Sequence, residues 1–236
     1  MVNRLALFPF FLMVPIAPAL AEGISVYPTT LVLEETSRVG MLTLENKGSG
    51  EALYELAGYR WTAEGGADNL ASDKGFIITP PVVALAPGEK RAVRVGVLPG
   101  AEPVDMEQAY RVRITELQSG PAVRSNALDV RLQLLLPVFR GGGRLGPDLG
   151  FTAWMDSAGQ VCLNGQNSGD SHAKIVWVAP AGRPDEKVPL QKYVLAGSDV
   201  HFCVGTEADY SGKLLVGATS AYQSGVSRFL VDLPVP

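Results

Sequence analysis

The sequence predicts an all-β chain of two sandwiches in tandem, residues 22–140 and 141–236, behind a leader at residues 1–21. Three observations carry this reading. Apolar residues recur at every second position, turn residues interrupt these runs at short intervals, and a Gly-rich stretch divides the chain near its middle. The 236 residues include 26 Gly and 17 Pro, with 47% hydrophobic and 19% charged content. Such a composition supports packed cores and excludes a largely disordered chain. A formal net charge of −4 at pH 7 argues against a nucleic-acid partner, which would require clustered Lys and Arg.

Residues 1–21 read as a signal peptide and are set apart from the fold. Arg4 supplies the positive start, Leu5 to Leu20 carry no charge, and Ala19-Leu20-Ala21 has the small-x-small pattern of a cleavage site. Pro9, Pro15 and Pro18 would interrupt a spanning helix, and no later segment is long and apolar enough to cross a bilayer. The expected product is exported and not membrane-embedded. Cys162 and Cys203, the two cysteines, then meet an oxidising compartment and are expected to pair. His172 and His201 lie between them in sequence. The short paired spacings of zinc sites are absent, so no metal is expected.

Strand signals follow in order along the first half. Leu31 and Leu33 alternate with Val32 and Glu34, and Leu53, Ala57, Tyr59 and Trp61 share one face. Val93, Val95 and Val97 alternate with Arg94 and Gly96; Tyr110, Val112 and Ile114 face away from Arg111 and Arg113. Pro87-Gly88 marks a turn, because Pro presets its own φ and Gly accepts a positive one. Gly48-Ser49-Gly50 and Ala63-Glu64-Gly65-Gly66 punctuate in the same way.

The longest signal runs from Leu128 to Val138, where Leu128, Val130, Leu132, Leu134, Leu136 and Val138 are all apolar. At about 3.3 Å per residue such a strand would span roughly 35 Å. Arg140-Gly141-Gly142-Gly143-Arg144 reads as the linker. Further short strands are expected around 149–155, 160–164, 174–179, 199–204, 212–217 and 226–233.

Chemistry-bearing motifs are missing. No G-x-S-x-G elbow, Walker loop, H-E-x-x-H or EF-hand pattern occurs. Gly141-Gly142-Gly143 cannot cradle a phosphate, since no amphipathic helix follows it. Neither catalysis nor a cofactor is expected.

The first half resembles the periplasmic pilus-assembly chaperones of the chaperone–usher pathway. The likeness rests on Ile78-Thr79-Pro80-Pro81-Val82, on Leu85-Ala86-Pro87-Gly88-Glu89-Lys90 and on Val93-Arg94-Val95. Ser25-Val26-Tyr27-Pro28 and Ala109-Tyr110-Arg111-Val112 add to it, and Leu136-Pro137-Val138-Phe139 resembles the divergent branch called archaic. The likeness is strong over residues 24–140; over the second half it rests on size, β character and Asn164 to Asn167 beside a turn.

The resemblance implies two Ig-like sandwiches and a mechanism, donor-strand complementation, in which a chaperone lends a long edge strand to an incomplete pilus subunit. On this reading Val130, Leu132, Leu134 and Leu136 fill the groove of the subunit, and an outer-membrane usher receives the complex. The competing reading of the same strand is an interior one whose even face fills its own core. The resemblance also implies a basic pair that holds the subunit's terminal carboxylate. The first-strand position aligns with Thr30, which is not basic, so Arg111 and Arg140 are the candidates, with Arg113 as substitute. Two alternatives remain. One is a pilus subunit or adhesin, disfavoured because the alternating strand is internal and a second sandwich follows. The other is a secreted Ig-like ligand-binding protein or enzyme.

Overall fold

The computed structural model describes residues 23–33, 37–98, 105–117, 131–141, 146–206, 210, 212–221 and 224–233. Ten strands build its first half: β1 (Ile24–Tyr27), β2 (Leu31–Leu33), β3 (Val39–Asn46), β4 (Ala52–Glu64), β5 (Ala67–Ser72), β6 (Phe76–Thr79), β7 (Val82–Leu85), β8 (Lys90–Val97), β9 (Gln108–Leu117) and β10 (Gln133–Arg140). Seven build the second: β11 (Leu149–Met155), β12 (Gln160–Asn167), β13 (Ala173–Pro180), β14 (Val188–Val194), β15 (Asp199–Thr206), β16 (Lys213–Thr219) and β17 (Ser227–Asp232). The all-β expectation of two tandem Ig-like sandwiches holds.

In the first sandwich a sheet of order β1-β3-β8-β6 faces one of order β2-β10-β9-β4-β5, with β7 also paired to β4. The alternation seen in sequence decides which side chains meet between them. Leu42, Leu44, Val93 and Val95 come from one sheet; Tyr54, Leu56, Val112, Ile114 and Val138 come from the other. In the second sandwich β11-β12-β15 packs on β14-β13-β16-β17 around Val161, Leu163, Ile175, Val178, Leu214 and Val216.

Local chemistry sets the turns. β4 and β5 form a hairpin closed by Gly65 and Gly66 at φ 58° and 78°. Two consecutive positive φ values make the turn whose twist matches paired strands, and glycine adopts it without cost from a Cβ. The peptide bonds before Pro28 and Pro80 are cis, the first between β1 and β2 and the second between β6 and β7. Cys162 and Cys203 are disulfide-bonded and directly opposite each other on β12 and β15.

The structure departs from the sequence reading in three places. Leu53, Ala57, Tyr59 and Trp61 do share a face of β4, but the sandwich core takes the other face, through Ala52, Tyr54 and Leu56. Trp61 is buried instead in a cluster between the halves, with Phe139 of its own sandwich and Leu195 of the second. Strand β14 carried no alternation signal; it is an edge strand containing Pro189, a position where a missing N–H is tolerated. The strand read from Leu128 begins at Gln133 among the described residues and extends to Arg140, and Val130 lies outside them.

The cysteine pair closes a separation of 41 residues. Replacing Cys162 and Cys203 by alanine is expected to lower the stability of the β12–β15 region by about 4 kcal/mol in the chain-entropy account. Hydrogen exchange should show the loss in β12 and β15 and leave the β3 and β8 amides unchanged.

Candidate functional site: an open strand edge beside a cationic cleft

β10 pairs antiparallel with β9 along its whole length, from Gln133 opposite Thr115 to Arg140 opposite Gln108. On its other side β2 covers only Val138, Phe139 and Arg140, in parallel. Among the described residues, Gln133 to Pro137 therefore have no strand partner on that side. Pro137 has no N–H to present and stands where β2 begins to cover the edge, as expected of a proline in a strand with one free side. An unpaired edge is a template on which another chain can add a strand.

The side chains along this edge fall into two series. Leu134 is partly buried against the first core, Leu136 is 7% exposed and Val138 is fully buried. Leu132 is half-buried. Leu136 and Val138 are thus spent on the home core, and the apolar face becomes progressively uncovered towards Leu132. On the opposite face Leu135 is 44% exposed, and Pro137 and Phe139 are buried.

Arg111 lies across from Pro137, and Arg140 across from Gln108. Residues opposite each other share a face and neighbours along a strand alternate, so the two guanidiniums occupy opposite faces of one sheet and do not form a pair. Arg140 is 2% exposed on the inner face. It donates from Nη1 to Gln108 Oε1 at 3.1 Å, and Tyr110 OH donates to the same oxygen at 2.9 Å. Arg60 Nη1 donates in turn to Tyr110 OH at 3.1 Å, while Arg140 Nε is buried without a partner.

Arg111 faces the cleft between the sandwiches. Its guanidinium carbon sits 3.5 Å from the centre of the Trp61 ring and 5.5 Å from that of Tyr193. Burial pushes the pKa of this guanidinium below its ordinary value, against the opposing pull of Asp68 and Tyr193. Arg113, two residues on and on the same face, lies 4.8 Å over Tyr59. Cations held over aromatic faces keep their charge and give up rotamer freedom in advance of any ligand. Thr30 is also here: its Oγ1 lies 3.4 Å from the Tyr193 hydroxyl.

The cleft is braced by contacts that no sequence pattern marked. Tyr193, on β14, meets Trp61 edge-on at 5.6 Å and Phe139 at 5.7 Å. His172 stacks on Phe139 with centroids 3.5 Å apart, and its Nδ1 lies 2.6 Å from Glu107 Oε2. The His172 backbone N–H donates to that same carboxylate oxygen at 2.6 Å. Asn167 Nδ2 reaches the carbonyls of Ser171, Val194 and Leu195 at 2.8, 3.2 and 3.1 Å, which holds the end of β14 in place. His201 is engaged elsewhere, 3.0 Å from Asp199 and edge-on to Trp154. Asp156 approaches Cys162 and Cys203, whose sulfurs are tied up in the disulfide. No helix among the described residues is long and apolar enough to cross a membrane.

Tandem Ig-like sandwiches with a free apolar edge beside a cationic cleft define a class of protein that receives another polypeptide by strand addition. The chain belongs to the family of pili and flagellar-assembly chaperones, whose PapD N-terminal domain matches residues 23–140. Chaperones of this family are periplasmic, and membership favours the chaperone over a pilus subunit or a ligand-binding module.

Among solved structures, the chain is similar to one in the chaperone–tip adhesion subunit pre-assembly complex of the archaic Csu pili of Acinetobacter baumannii. The TM-score is 0.70 at 19% identity, covering 90% of this chain and 100% of that one. A chain from the Salmonella enterica SafA pilin in complex with the SafB chaperone aligns with TM-score 0.62 at 15% identity, over 89% of this chain and 96% of that one. The Escherichia coli chaperone DraB aligns with TM-score 0.58 at 16% identity, over 90% and 97%. No curated protein sequence matches.

Trp61 is 2% exposed and carries both Arg111 and the contact to Tyr193. Trp61→Ala is expected to cost about 3 kcal/mol, in the range of large aromatic truncations. Urea denaturation followed by circular dichroism would measure it.

Proposed function

We propose that this protein is a periplasmic chaperone that binds, folds and caps pilus subunits by donor-strand complementation and passes them to an outer-membrane usher. The observation that carries the reading is the free edge of β10, apolar on one face and level at Pro137 with Arg111 in the cleft. An incomplete sandwich would take its missing strand from this edge. Main-chain bonds would supply affinity and alternate side chains would supply the missing core. The donated residues are Val130, Leu132, Leu134 and Leu136, with Leu136 contributing least because it is already packed at home. The subunit's terminal carboxylate would meet Arg111, with Arg113 beside it, through charge-assisted hydrogen bonds that fix the register of addition. Arg140, on the opposite face, serves the sandwich end and not this anchor. The function requires no catalysis and no cofactor, because the free energy of folding comes from the donated strand.

Co-purification of the protein from the periplasm of its native host, with mass spectrometry of bound chains, tests this directly. A near one-to-one complex with small secreted β subunits is expected. A client-free monomer, recovered while neighbouring pilus proteins are expressed, would overturn the reading.

The two faces of β10 give a sharper contrast. Leu132→Glu or Leu134→Glu would place a carboxylate in the subunit core, and capture should fall by about a hundredfold or more. Leu135→Glu, on the exposed opposite face, should capture normally. All three variants should retain the β circular-dichroism signal.

A further inference from the structure

The end of the first sandwich holds a polar cavity that neither the donor edge nor the cleft uses. Its volume is about 450 Å³, within the range of small-ligand sites, and Arg60, Lys74, Gln108, Tyr110, Val97 and Leu98 line it. Gln108 and Tyr110 alternate with Arg111 along β9, so the cavity lies on the opposite face of the sheet from the cleft. A chain of hydrogen bonds ties its polar wall to the sandwich interior. Arg60 Nη1 donates to Tyr110 OH, which donates to Gln108 Oε1, and the same oxygen accepts from Nη1 of the buried Arg140. Arg60 also lies 5.0 Å from the centre of the Tyr110 ring, and Phe76 stacks on that ring at 4.5 Å. Every acceptor along these bonds is neutral. Among the described residues, no carboxylate is in an ion pair with Arg60, Lys74 or Arg140, and Arg140 Nε is buried without a partner. Asp73, the acid on the cavity wall, commits its Oδ1 to the Gly75 N–H at 2.7 Å. Buried charge is normally matched by opposite charge, so this end of the sandwich carries an excess of cation beside an open cavity. Val97 and the exposed Leu98 give the same cavity an apolar wall.

We infer that this cavity is a binding site for a small organic carboxylate with a short apolar body, its head held by Arg60 and Lys74 and its body laid against Val97 and Leu98. A guanidinium presents its donors in a fork that matches a carboxylate, and the single bond from Arg60 Nη1 to Tyr110 leaves the rest of that fork to the ligand. The ligand would offset charge near the desolvated Arg140 without breaking its bond to Gln108. Gln108 pairs with Arg140 at one end of the β9–β10 ladder, and Thr115 with Gln133 at the other. A ligand here would therefore brace the base of that strand pair and leave the donor edge and the cleft unoccupied.

The test is an amide NMR titration of the full mature protein with hexanoate, acetate and hexanamide, which carry head and body, head alone and body alone. Hexanoate should give saturable shifts at Gly75, Leu98 and Gln108. Hexanamide, which lacks the charge, should bind about tenfold more weakly, and acetate should also lose affinity without the apolar body. Arg60→Gln should weaken hexanoate by about tenfold and Lys74→Gln by about threefold. Lys74 is exposed, so its replacement leaves the fold intact and decides the matter even where Arg60→Gln does not fold. Equal binding of hexanoate and hexanamide, or unchanged hexanoate binding in Lys74→Gln, would overturn the inference. Shifts confined to Tyr59, Trp61 and Tyr193 would move the carboxylate to the cleft and overturn it as well, as would the absence of shifts with every probe.

Discussion

A strand within a sheet has main-chain donors and acceptors on two sides, and among the described residues β10 finds strand partners on both sides over Val138, Phe139 and Arg140 alone. The rest of the architecture can be read from that shortfall. β2 ends its pairing at Leu33 opposite Arg140 and starts it at Leu31 opposite Val138. Among the described residues, no strand pairs with the upstream half of β10 on that side. Ordinary edge strands are blunted by charge, bulges or short length. Here Gln133 and Leu135 are exposed on one face, while Leu134 and Leu132 keep an apolar face that the home core covers only in part. The edge is unsatisfied in its hydrogen bonds and its side chains at once, which suits strand addition better than either deficit would alone.

The same strand fixes where the cleft lies relative to the edge. Along β10 the even residues Leu136 and Val138 enter the sandwich core, and the odd residue Phe139 enters the aromatic cluster between the halves. Alternation allows one strand to serve both without a bend. Arg111 is level with Pro137, so Leu134 lies roughly 10 Å up the strand and Leu132 roughly 17 Å, at about 3.3 Å per residue. A chain whose end is held at Arg111 can thus offer its groove to the apolar positions in one register only. A one-residue slip would turn every inserted side chain to the wrong face.

Much of this was legible in the sequence, because period-two alternation and turn chemistry are local. Val93, Val95 and Val97, and Tyr110, Val112 and Ile114, are buried as their pattern requires. The cysteine pairing followed from compartment and count. What escaped was non-local. The core side of β4 could not be chosen from its pattern, because both faces carry apolar residues and Trp61, on the odd one, is buried between the domains. Strand β14 is polar at Gln191 and Lys192 and carries a proline, so nothing marked Tyr193 as the centre of the cleft. The opposite placement of Arg111 and Arg140 depends on the register between β9 and β10, which only pairing reveals.

Two arginines near one junction have been put to different uses, and the difference is set by their surroundings. Arg140 is sealed at the sandwich end, where Gln108 Oε1 accepts from its Nη1, so its guanidinium is desolvated and turned away from the cleft. Arg111 is flanked by aromatic faces that stabilise its charge without consuming its donors. A ring face offers no lone pair in the plane that a carboxylate would occupy, so the N–H groups of Arg111 stay available to an incoming anion. Tyr193, the second ring beside Arg111, belongs to the second sandwich, and Asn167 pins the strand end that carries it. The second sandwich therefore does more than cap the first: it supplies the surface against which the cationic side of the cleft is held in shape.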